Sequence, residues 1–221
     1  MRNSTKFLTT GIMILFAVML GTTIHFQTRV SKLENHNKID SPKYSYAYDC
    51  IMEAELKYWE LKADVTAEMQ HYIDSVTPYS NLRAYAIIEE CERYNVDPIF
   101  VLTQGEIESH FGTKGLGSKL NNVFNIGVFD GATAETVKKK YQFVYPNESI
   151  EPYLELLSER YLVNKTEHDL MNKYVDINGK RYASNPDYEN IFKSKYKYIC
   201  DNTNLETKIS AMKSYAIKCN R

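Results

Sequence analysis

The chain has almost no net charge. Its 27 Lys and Arg face 28 Asp and Glu, leaving −1 over 221 residues. A nucleic-acid partner calls for a basic surface, and none is expected here. Cysteine is scarce: Cys50, Cys91, Cys200 and Cys219 show no CxxC spacing. That excludes the common zinc and thioredoxin-like patterns. The five His are scattered, with no HExxH run and no His/Cys cluster. No metal and no cofactor are expected. Internal repeats and low-complexity blocks are also missing, which excludes solenoids and long disordered tracts.

What is present is more directive. Residues 7 to 27 contain no Asp, Glu, Lys or Arg, and Arg2 and Lys6 precede them. About 20 apolar residues suffice to cross a bilayer as a helix. The stretch therefore reads as a signal anchor, with a membrane contact over residues 7–26. The basic residues before it keep the short N-terminal tail in the cytoplasm. The rest of the chain is then extracytoplasmic, on the periplasmic or cell-wall side. A cleaved signal peptide is the competing reading and would give a secreted protein. An even cysteine count in an exported chain permits disulfides, and Cys200–Cys219 is the expected pair. The 18 Tyr add rings with polar tips, suited to half-buried helix faces and to carbohydrate contact.

Beyond the anchor, residues 28 to 43 are polar and read as a linker. Apolar residues at helical spacing predict a helix from Tyr44 to Val76, either a spacer or the first helix of the domain. Asn95-Val96-Asp97-Pro98 is a helix start, with Asp97 as cap and Pro98 at the first helical position. That helix runs to His110 and stops at the glycines that follow. Tyr141, Phe143 and Tyr145 alternate, which predicts a short strand or hairpin over 137–145. Helices are expected over 150–163, around 166–174 and from Ser184-Asn185-Pro186-Asp187 onward, with a turn at Asn178-Gly179 and a weak helix over 205–217. The fold class is mainly α with a small β element, plus the N-terminal transmembrane helix. Four segments result: anchor (1–27), linker and helical spacer (28–75), domain (76–200) and C-terminal helical tail (201–221).

The chemistry lies in Gln104-Gly105-Glu106-Ile107-Glu108-Ser109-His110-Phe111-Gly112 and Asn121-Asn122-Val123-Phe124-Asn125-Ile126-Gly127. Here a carboxylate sits near the end of an apolar helix, before a glycine-rich break and an Asn/aromatic loop. Burial between Ile107 and Phe111 strips water from Glu108 and raises its pKa. A carboxyl protonated near neutrality is what a glycosidase uses to assist the leaving oxygen. Glu106 is the rival, but two residues along a helix place it about 200° away.

The same letters resemble the glucosaminidase family of peptidoglycan hydrolases, which has a lysozyme-like (α+β) fold. Gln-x-x-x-Glu-Ser-x-Phe-Gly is similar to the family's helix-ending motif, and Asn121-Asn122-Val123-Phe124 to its Asn-Asn-Leu-Phe. Tyr145-Pro146 with Glu148-Ser149-Ile150, and Arg181 through Tyr188, resemble two further segments in the family's order. The resemblance implies hydrolysis of the β-1,4 bond after N-acetylglucosamine, with peptidoglycan glycan strands as the partner. It implies Glu108 as general acid and Tyr182 as a second catalytic residue, in the cleft near the reacting sugar. Phe111, Asn122, Phe124, Asn125 and Tyr188 would contact the glycan. Asn125 replaces the family's usual Gly. The second carboxylate belongs to no single motif, and Asp130 and Glu135 are both candidates. The pattern is also similar to lysis and wall-remodelling proteins of bacterial viruses and their hosts.

Other readings stay open at this level. A lytic transglycosylase would share the helix-end Glu-Ser, although its Gly-Leu-Met-Gln-like segment is missing. A muramidase, a non-catalytic glycan-binding or assembly protein, and a tethered helical interaction protein are the others.

Overall fold

The computed structural model describes residues 42–219, with side chains over 50–216. The expected anchor over 7–26 lies outside the described residues. Among those described, no helix is long and apolar enough to cross a membrane. The chain divides into two units, Met1–Met52 and Glu53–Arg221. Of the first, only residues 42–52 are described; the second carries the core and the site.

Helix α1 (Pro42–Val76) changes character along its length. Ile51, Leu56 and Trp59 are exposed, whereas Val65, Met69, Tyr72 and Ile73 are buried. The buried set recurs at spacings of three and four, the stripe that a helix presents to a core. The distal half is thus a wall of the domain core. The side chains of Tyr58 and Lys62 reach Glu92 on α2 (Ala84–Tyr94), each at 2.7 Å.

Helix α3 (Pro98–Ser109) is the centre of the core of the second unit. Asp97 caps it by accepting from the Ile99 N–H at 3.0 Å, with Pro98 in the first turn as the sequence predicts. Residues Pro98 through Glu106 are all buried, so this helix has no solvent face over two turns. α2, α4 (Gly115–Leu120) and α7 (Tyr188–Asn202) pack against it. α5 (Ile150–Leu156) covers α2 and runs into a π turn (Leu157–Tyr161), where the Leu162 N–H bonds the Leu157 carbonyl at 2.8 Å. α6 (Glu167–Asn172) and α8 (Leu205–Cys219) complete the order, both at predicted positions.

The β element is not where the alternation of Tyr141, Phe143 and Tyr145 put it. Residues Lys139–Tyr141 form a 3-10 turn, and no strand occurs among the described residues. Phe143 N–H does bond the Leu120 carbonyl, but no ladder follows. Alternation without a partner strand leaves the backbone to satisfy itself locally. The single antiparallel bridge instead joins Val175 to Arg181 around the Asn178-Gly179 turn. Cys91 is a buried free thiol and Cys200 is also free; the side chain of Cys219, its expected partner, lies outside the described residues.

Candidate active site

The letters that end α3 mostly build its terminus. His110 and Phe111 both take positive φ, at 52° and 57°, and Gly112 follows at 76°. The Phe111 N–H bonds the Gly105 carbonyl, closing the helix with a left-handed turn. The Phe111 ring is fully buried, edge-on to Tyr72. Ser109 Oγ donates to the Val123 carbonyl at 2.6 Å and accepts from the Gly112 N–H at 2.8 Å. It packs so closely on α4 that a Cβ at Gly117 would lie 2.3 Å from the Ser109 Cβ.

The Asn-rich loop is built the same way. Asn122 is buried, donating to the Ile126 and Tyr141 carbonyls and accepting from the Ile126 N–H. Phe124 is buried and stacks on Tyr153 at 4.2 Å. Phe111, Asn122 and Phe124 were all expected to contact glycan. The structure corrects this: all three lie behind the site as scaffold, because their side chains fill core volume or close the loop's own hydrogen bonds.

Glu108 projects from this frame into a cleft of about 690 Å³, lined also by Asn125, Phe129, Asp130, Tyr141 and Tyr182. Its Oε1 accepts from Tyr188 Oη at 2.5 Å and from Gln104 Nε2 at 3.1 Å. Its Oε2 accepts from Asn125 Nδ2 at 3.1 Å. Burial pushes the Glu108 carboxyl up, against the opposing pull of Tyr188 and Asn125. Glu106, the rival, is buried elsewhere: Lys195 Nζ and Tyr72 Oη each reach it at 2.6 Å. It ties α1 and α7 to α3 and does not line the cleft.

Of the two tyrosines, Tyr182 takes its expected place on the cleft wall, and Tyr188 does not contact the groove. Tyr188 is buried and holds Glu108 from behind. Tyr182 lines the cleft, with its hydroxyl donating to the Phe124 carbonyl at 2.7 Å. Burial, then the nearby Glu108, holds the Tyr182 hydroxyl well above the ordinary phenol range.

Behind Glu108 runs a chain of buried polar groups. Tyr174 Oη donates to Gln104 Oε1 at 3.1 Å, and Gln104 Nε2 donates to Tyr188 Oη at 2.6 Å. The Tyr174 proton is thereby spent, so Tyr153, 3.3 Å away, is the donor to Tyr174. Gln104 went unassigned in the sequence, although it lies four residues before Glu108 and so on the same helix face.

Of the two second-carboxylate candidates, Asp130 lines the cleft and takes a 3.3 Å hydrogen bond from Ser184. Glu135 is exposed and is not on the cleft wall. A third carboxylate on the wall, Asp176, was not anticipated. It is buried, paired with Arg160 at 2.8 Å. Nothing in its local sequence marks it, apart from its place before the Asn178-Gly179 turn. No cluster of metal-ligating side chains occurs among the described residues.

Residues 84–201, just over half of the chain, match the family model described as mannosyl-glycoprotein endo-beta-N-acetylglucosaminidase. The chain belongs to the glucosaminidase family. The match spans every segment that builds the site, from α2 through α7. The mainly helical domain is consistent with the lysozyme-like fold of such enzymes, and membership supports a glycan-binding peptidoglycan hydrolase in general terms. No curated protein and no solved structure gave a significant match.

Proposed function

We propose that this protein cleaves the β-1,4 bond after N-acetylglucosamine in peptidoglycan, with Glu108 as the general acid. The observation that carries this reading is the state of Glu108: a half-buried carboxyl, raised in pKa by desolvation, opening into a cleft of sugar-binding size. Oε1 already accepts two donors, so the acid form carries its proton on Oε2. That proton passes to the glycosidic oxygen as the bond from the sugar's anomeric carbon breaks. Water then adds to that carbon and yields its own proton. Either Asp130 takes this proton as base, or the sugar's acetamido group attacks first and the water that releases it gives its proton to Glu108, left ionised by the first step. Glu135 is left out of this step by its position.

Tyr182 acts as cleft wall, its hydroxyl hydrogen committed to the backbone. The apolar segment over 7–26 holds the domain on the extracytoplasmic side, where tethering raises its effective concentration near the polymer without a new contact. Its support is the charge pattern of residues 1–27.

The deciding experiment digests purified peptidoglycan with the protein and with Glu108→Gln, then reads the reduced fragments by mass spectrometry. Reducible N-acetylglucosamine ends, lost in the variant, are the expected result. Muramic acid ends would make it a muramidase, and anhydro-muramic ends a lytic transglycosylase. Intact polymer carrying bound protein would make it a binding module.

A further inference from the structure

The cleft wall carries an excess of positive charge at one place. Arg160, in the π turn, and Lys180, after the Asn178-Gly179 turn, both line it. Neither takes part in holding Glu108. Arg160 Nη2 donates to Asp176 Oδ2, and its side chain is still 48% exposed, whereas that of Asp176 is 1% exposed. The other Asp176 oxygen accepts the backbone N–H of Asn178 and of Lys180, each at 2.9 Å. Those backbone bonds, with Arg160, hold the Asp176 carboxyl below its ordinary range. Asp176 thus fixes the guanidinium and the lysine backbone together, with a hydrogen bond on each of its oxygens.

The other charged groups on the wall are Glu108, Asp130 and Arg181. Arg181 is paired with Glu189 at 2.6 Å, and Asp130 is hydrogen-bonded by Ser184. Around Asp176 two cations face one carboxylate, a local surplus of about one positive charge; Asp130 keeps its own charge beside the neutral Ser184 hydroxyl, so the surplus is local and does not extend over the whole wall. A guanidinium carries five N–H donors in a planar fork, and only one of its nitrogens is on Asp176. A fixed, half-exposed Arg sharing the cleft wall with an exposed Lys offers the fork and the charge that a carboxylate binds.

We propose that Arg160 and Lys180 form a carboxylate receptor for the acidic side arm of the muramic residue beside the cleaved bond. This rests on the peptidoglycan reading above and adds how the polymer is told apart. N-acetylglucosamine is neutral. A muramic residue carries a lactyl ether whose carboxyl is either free or joined to a peptide bearing its own carboxylates. The receptor distinguishes such strands from neutral N-acetylglucosamine polymers.

The test is a binding titration of the full chain in a Glu108→Gln background, with and without Lys180→Glu. Three soluble oligosaccharides of equal length serve as probes: an N-acetylglucosamine oligomer, an amidase-treated glycan with free lactyl groups, and a peptide-bearing glycan. The lysine protein should bind an anionic probe roughly three- to tenfold tighter than the neutral one, in the range of a partly exposed charge pair. Lys180→Glu should erase that preference, as should 0.5 M salt on the order of a few-ångström Debye length. A gain with the lactyl probe assigns the site to the lactyl carboxylate; a gain only with the peptide probe assigns it to the peptide. Equal binding of all three probes would overturn the proposal, and so would an equal loss for neutral and anionic probes on Lys180→Glu. Arg160→Lys, which keeps the charge and loses the fork, should weaken the preference without unfolding. Failure of the hydrolase reading shows separately, as Glu108-containing protein that leaves the peptide-bearing probe uncut.

Discussion

Asn125 meets two demands at once. Its backbone sits at φ +50°, in the left-handed region that Gly and Asn tolerate best. This explains how Asn can stand where the family commonly has Gly. Its amide adds what Gly cannot: donors to both the backbone carbonyl and the carboxylate of Glu108. Asn125→Gly should therefore fold, within about 1 kcal/mol of the parent. Removing a donor to the ionised form raises the Glu108 pKa further. The alkaline limb of kcat/KM should move to higher pH, read from a pH–rate profile on soluble glycan. A limb that stays in place would mean that the amide does not act on the acid.

Gly127 makes a harder demand in the same loop. At φ +68° a Cβ would lie 2.2 Å from Tyr141 Cδ2, so Gly127→Ala should displace that ring and cost about 1–3 kcal/mol by thermal unfolding. At this scale the sequence was legible where chemistry and burial coincide, as at Glu108. It misled where a motif letter was structural: Asn122 and Phe124 carry no label separating a residue in the cleft from one that shapes it.

Among the elements, α1 does the least expected work. Its distal half contributes Val65, Met69, Tyr72 and Ile73 to the core. Burying four such side chains is worth roughly 6–12 kcal/mol in total, comparable to the stability of a whole domain. A fragment beginning at residue 77 should therefore fail to fold by circular dichroism, and one beginning at residue 53 should melt cooperatively. Equal melting of both would show that α1 is only a spacer. Periodicity predicted the helix but could not show which half is covered, because exposed Ile51, Leu56 and Trp59 keep the same apolar character as the buried set. The strand over 137–145 failed for a related reason. Alternation describes one strand's faces and does not supply the partner. The π turn had no sequence signal, yet it carries Arg160 and Tyr161 to the cleft wall.

For the molecule as a whole, proton linkage gives a stability curve with two slopes. Glu68, Asp169, Asp176 and Glu189 are held below their ordinary values. Each binds its proton more readily in the unfolded chain, so stability falls as pH drops through the folded values. Glu108 and Asp97 are raised by burial. Their contribution is complete below the unfolded values and is lost as pH rises toward the folded ones. Together these groups favour a maximum near the ordinary carboxyl range, about pH 4–5. The melting temperature against pH checks this, and the difference between Glu108→Gln and the parent should grow in the variant's favour as pH rises. A gap that is flat with pH would contradict a raised Glu108.

The frame around Glu108 has a consequence for descent. Ser109 and Phe111 fasten the helix end, Asn122 and Phe124 close the loop, and neither task needs the acid. A single-base change that turns the Glu108 codon into one for Gln would leave that frame standing. The product would still bear every other letter by which relatives are known. Lineages of this architecture can thus shed the reaction and keep the groove, so that sugar-gripping, non-cutting descendants lie one mutational step from the enzyme.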